Sequence, residues 1–104
     1  MYKVIILQKA QIDTRRASEW YNQQQKGLGK KLIKQFRKRV KQIKKDPLSC
    51  EVRYLNIRTA STEVFPYMIH YTIEEEQKTI IISAFFHTSL SPDNWTERHQ
   101  EKQS

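Results

Sequence analysis

Cys50 is the only cysteine, so the chain cannot close an internal disulfide. With no base or ligand partner spaced around it, the thiol reads as a partly buried structural group. That usage fits a reducing cytoplasm. Only two glycines occur, Gly27 and Gly29. No strand precedes them and no GxxG spacing follows, which excludes a phosphate-cradling loop and leaves a turn. Apolar runs are short, and nothing approaches the ~18–20 residues of a membrane span. The opening MYKVIILQ lacks a small-residue cleavage site and reads as a strand, not a signal peptide. No His, Cys, Asp or Glu cluster has metal-ligand spacing, and no cofactor is expected. Acids are scarce too, 11 against 19 lysines and arginines.

What is present is charge of one sign, unevenly placed. The chain carries +8 over 104 residues. Between Lys9 and Lys45 stand 13 Lys/Arg against Asp13 and Glu19, a local +11, so the remainder is net −3. That asymmetry fits a basic face for nucleic acid or for an acidic protein partner, against a merely solubilising helix surface. Lys30, Lys34, Arg37, Lys38 and Lys41 are the residues expected to carry such a face. The length is that of one domain, placed at residues 1–98, with 99–104 a polar tail in which His99 has no assigned role.

Tyr2–Leu7 predicts a strand. From Gln8 the pattern turns helical, with Ile12, Ala17, Trp20, Tyr21 and Gln24 close to one stripe. Lys26–Gly29 breaks that helix, Gly27 suiting a left-handed position and Gly29 a tight helix–helix turn. Leu28, Leu32, Phe36, Val40 and Ile43 then mark the core face of a second helix, Lys30 to Lys45, ended by Asp46-Pro47. The two helices should form an αα-hairpin. Glu51–Ile57 reads as a strand and Arg58–Thr62 as a loop.

Val64–Ile73 alternates Phe65, Tyr67, Ile69, Tyr71 and Ile73 with polar or smaller residues, the pattern of a half-buried strand. Thr79–Phe86 is apolar at nearly every residue, as in a central strand covered on both faces; it is the expected partner of the N-terminal strand. Ser91 suits an N-cap and Pro92 the first turn of a short helix carrying Trp95. The order β-α-α-β-β-β plus a short C-terminal helix predicts an α+β fold: a small antiparallel sheet with the αα-hairpin packed on one face.

FPYMIHY, the Ile-rich strand and AFFHTSLSPDNW together resemble the C-terminal half of RelE/ParE-superfamily toxins, in particular the ParE-like plasmid stabilisation branch. His87, Pro92 and Trp95 match the family's His-x-x-Arg-x-Pro-x-x-Trp ending, with Leu90 at its arginine position. The element order is that of the same superfamily. The resemblance implies the toxin of a type II toxin–antitoxin module. Such a toxin inhibits growth by binding a target such as DNA gyrase, is neutralised by a cognate antitoxin, and works without a membrane.

Two alternatives stand beside it. One is a RelE-type endoribonuclease acting on ribosome-bound mRNA. RNA cleavage needs an acid, a base and cations on the phosphate; His87 and His70 are the candidates for proton transfer, and Arg58 and Arg53 for the clamp. RelE-type relatives commonly add a tyrosine near the C-terminus, and this chain has none after Tyr71. The other alternative is a degenerate toxin that only binds its antitoxin, for which Leu90 is the signal. The tyrosines and the aromatics of the last hairpin read as core rather than as base-stacking platforms.

Overall fold

The structure, a computed structural model, describes residues 1–100, the side chain of Gln100 excepted. Its elements are β1 (Lys3–Ile6), α1 (Gln8–Gln24), α2 (Leu28–Lys45), β2 (Val52–Tyr54), β3 (Ile57–Ser61), β4 (Tyr67–Glu74), β5 (Thr79–His87) and α3 (Pro92–Gln100). The strands form one sheet in the order β1-β5-β4-β3-β2. The α+β class and the αα-hairpin over one face are as the sequence predicts, and β1 does pair with β5.

That pairing is parallel, Lys3 opposite Thr79 through Ile6 opposite Ile82, so the sheet is mixed rather than wholly antiparallel. The other departure is at residues 51–62. In place of one strand and a loop there is a hairpin: β2 turns through Leu55 and Asn56 into β3, and Arg58 to Ser61 lie in the sheet against β4. The turn carries no glycine; Leu55 itself adopts φ 50°. Without the Gly or Asp-Gly that such a turn favours, Asn56 is its one turn-forming residue.

Between the helices, Gly27 sits at φ 95°, a conformation that costs other residues dearly. Gly29 serves close approach instead: a Cβ there would stand 2.3 Å from the Ser18 carbonyl oxygen. Its N–H donates to the Asn22 side chain (2.9 Å), fixing the crossing point of α1 on α2. On α1 the buried stripe is Ala10, Thr14 and Ala17, with Tyr21 packed beside them. Small residues bring the helix close to the sheet, and that phase leaves Trp20 53% exposed, outside the core where its hydrophobicity predicts it. From α2, Leu32, Phe36 and Ile43 are buried, and the Phe36 ring meets Phe85 edge-on at 5.0 Å.

β4 alternates as expected. Ile69 and Tyr71 face the helices, while Met68 and His70 face the other side. In β5 the register shifts by one residue at Ser83, since His70 pairs with Ala84 and Tyr71 with Ile82. This bulge places Ile80, Ile82 and Phe85 together in the helix-side core, and Ala84 and Phe86 in a second cluster. Trp95 of α3 closes that second cluster. Ser91 caps α3, its Oγ accepting from the Asp93 N–H (3.3 Å). The helix runs past the tail boundary: His99 is 7% exposed and part of α3, whereas residues 101–104 of the expected tail lie outside the described residues.

Candidate functional site

The four residues expected to serve RNA cleavage fall in different surroundings. His87 ends β5 opposite Tyr67, half-buried, its ring edge-on to that tyrosine at 5.2 Å. Its Nδ1 accepts from the Ser89 backbone N–H (3.0 Å) and lies 2.8 Å from the Ser89 hydroxyl, which leaves the neutral ring's proton on Nε2. Arg58 pairs with Tyr71 on β4 and donates to the Cys50 carbonyl. Strand geometry puts its Cα about 16 Å from that of His87, with the helix-side core between them. Arg53 is exposed on β2, its guanidinium 5.8 Å from the Trp95 ring centroid.

His70 is fully buried on the face away from α1 and α2. Its Nδ1 is 2.8 Å from the Tyr54 hydroxyl, which also lies 3.2 Å from His99 Nδ1. The proton positions follow from the Trp95 carbonyl, 2.7 Å from His99 Nδ1. A carbonyl only accepts, so His99 carries its proton on Nδ1. Tyr54 can then give its single proton to His70 Nδ1, while His99 Nε2 faces the Ser83 hydroxyl at 2.6 Å. His70 is thereby a neutral imidazole protonated at Nε2, an atom that is buried with no partner among the described residues. Desolvation, then repulsion from His99 whenever that ring is protonated and from Arg53 and Arg98, pushes its pKa down to about 3. Burial raises the Tyr54 phenol, opposed in part by Arg98. A group so hard to protonate holds α3 against the sheet; it does not exchange protons near neutrality.

Two residues that carry no sequence motif complete that attachment. Arg98 and Asp13 form a mostly buried, two-pronged ion pair with both contacts at 2.9 Å. Asp13 Oδ2 also accepts from the Phe85 N–H (3.0 Å), and Arg98 donates to the Ser83 carbonyl (3.2 Å). β1 ends at Ile6, so these side chains satisfy the edge of β5 beyond the last strand contact. Residues 85 apart in sequence give no local signal of such a pairing.

The expected binding residues do share a surface. Lys30, Lys34, Arg37, Lys38 and Lys41 are all exposed along α2. Beside them, where α1 and α2 meet β1 at the sheet's open edge, lies a groove of about 410 Å³. Ile6, Ile33 and Phe36 line it, with Gln11, Arg15 and Arg37 among its polar lining residues. An apolar floor with cationic sides, next to an edge strand, suits an amphipathic or extended peptide rather than a small substrate.

A mixed five-stranded sheet under a basic helical hairpin, with α3 closing its far face, defines the class: the RelE/ParE toxin fold. Two solved structures are similar to it. One, from the chromosomal ParDE toxin–antitoxin system of P. aeruginosa, matches with a TM-score of 0.75 at 17% identity, covering 86% of this chain and 98% of that one. The other, the isolated E. coli RelE toxin, matches with a TM-score of 0.65 at 13% identity, covering 97% and 98%. No curated protein sequence matches significantly. Residues 4–91 match the family described as the ParE toxin of the type II toxin–antitoxin system parDE, and the chain belongs to that family. Among the described residues no helix is long and apolar enough to cross a membrane.

Proposed function

We propose that this ParE-family toxin arrests growth in the bacterial cytoplasm by binding a macromolecular target such as DNA gyrase, with no RNA cleavage of its own. The observation that carries this reading is the dispersal of the acid–base and phosphate-binding candidates. His70 is buried and neutral, His87 is separated from Arg58 by core, and Arg53 rests by Trp95. General acid–base catalysis requires its groups within hydrogen-bond reach of one phosphodiester, and no pair of these meets that condition.

Membership of the family implies an antitoxin partner. The groove of Ile6, Ile33 and Phe36 is its docking place in this reading, an apolar strip bordered by Arg15 and Arg37 against which an acidic amphipathic segment would lie.

The test is induced expression in a bacterial host, with mapping of mRNA 5′ ends and of gyrase–DNA cleavage complexes before and after arrest. Arrest with intact transcripts and accumulated cleavage complexes is the expected result. New 5′ ends positioned at codons, lost together in His87→Ala and Arg58→Ala, would overturn it. Absence of arrest that Leu90→Arg restores would identify a degenerate toxin instead.

A further inference from the structure

The outward face of α2 carries cations well beyond Arg37, the one that borders the proposed antitoxin groove. Leu28–Lys45 contains nine lysines and arginines and no acid. One of them, Arg39, belongs to the fold, donating to the Ser61 carbonyl (2.8 Å) and the Gln42 side chain (2.9 Å). The other eight are all exposed. At the ~100° turn per residue of an α-helix they fill an arc of about 140°, and no other residue type falls inside it. Lys38 has an exposed contact to Glu63 at 3.6 Å, too screened to neutralise it. Lys30, Lys34, Arg37 and Lys41 have no ion-pair partner among the described residues. Like charges four apart, as in Lys30–Lys34, Lys34–Lys38 and Arg37–Lys41, destabilise a helix, so solubility alone would be better served by mixed signs.

We propose that this face binds the phosphate backbone of duplex DNA, independently of base sequence. The class of partner follows from what the face lacks. An acidic protein would need apolar anchors for a stable interface, and the arc contains none. Single strands are held by stacking on exposed aromatics, and α2's one aromatic, Phe36, is 5% exposed. Charge without anchors is the composition of a surface whose affinity comes from releasing counterions. Lys30, Lys34, Arg37, Lys38 and Lys41, flanked by Ile33 and Gln35, line an open space of about 740 Å³ along this face. The B-form major groove admits an α-helix between two rows of phosphates, whereas the A-form major groove is too narrow.

The experiment is fluorescence anisotropy of the full chain on a labelled mixed-sequence DNA duplex of about 25 base pairs, from 50 to 200 mM salt. Five phosphate contacts predict a log–log slope of about −4.5, an affinity loss of about 500-fold over that range. The triple variant Lys34→Gln, Lys38→Gln, Lys41→Gln should retain a slope of only about −1.8, a loss of about 12-fold. The matching triple change to arginine should restore the original slope, which separates lost charge from any disturbance of the helix. A slope shallower than −2 for the unchanged chain, or an equal slope in the glutamine variant, would overturn the proposal. So would equal affinity for a polyglutamate of the same charge, pointing to an acidic protein, or for the corresponding RNA duplex.

Discussion

Lowering the pH from 7 to 5 should weaken this fold through His70 specifically. In the unfolded chain a histidine titrates near ~6.5, whereas in the folded protein His70 titrates at about 3. Because the folded value lies below the unfolded one, the stabilisation is fully present above pH ~6.5 and is lost as the pH falls toward 3. Within that window the unfolded chain takes up a proton that the native state refuses, at ~1.4 kcal/mol per pH unit. The loss reaches about 2 kcal/mol at pH 5, a large share of the ~5–15 kcal/mol total of a small domain. Urea unfolding at both pH values, followed by tryptophan fluorescence, measures it. His70→Gln is the control, since its side-chain carbonyl can still accept from Tyr54 while carrying no titratable group. Every other ionisable group is common to the two proteins, so the difference between them isolates His70. Equal acid sensitivity of the two, or a directly observed His70 midpoint above about pH 5, would refute the argument and with it the proton assignment of the Tyr54–His99 network.

Two further outcomes test the joints of the fold. Gly29→Ala should destabilise by about 2 kcal/mol in urea titration even though alanine is the better helix former, because the new methyl meets the backbone oxygen of Ser18 at 2.3 Å. Removing either half of the Asp13–Arg98 pair, by Asp13→Asn or Arg98→Met, should cost about 3 kcal/mol and release α3 from the sheet. A double-mutant cycle showing additivity of these two changes would contradict a direct pair.

The sequence-level pattern located most elements because it is local. A stripe such as Leu32, Phe36, Val40 and Ile43 reports its own helix, and the alternation from Phe65 to Ile73 reports its own strand. Ser91-Pro92 marked the start of α3 for the same reason. The β2–β3 hairpin has no comparable local signature, because its turn is made by Leu55 in a conformation that leucine rarely adopts. For Trp20, hydrophobicity says how much the side chain gains from burial, and not which way the helix is turned. Small Ala10 and Ala17 decide that turn.

The candidate site divides along the same line. By itself the sequence determined the family likeness, the αα-hairpin and the unbroken cationic face of α2, since each is written in residues three to eight apart. Only the tertiary structure decided that His70 is buried and neutral, that His87 and Arg58 do not meet, and that His99 belongs to the core of α3. It alone also joins Asp13 to Arg98. Each of these depends on strands and helices far apart in the chain being brought together, where burial sets the protonation state and the register of the sheet sets the distances. No local pattern encodes either quantity.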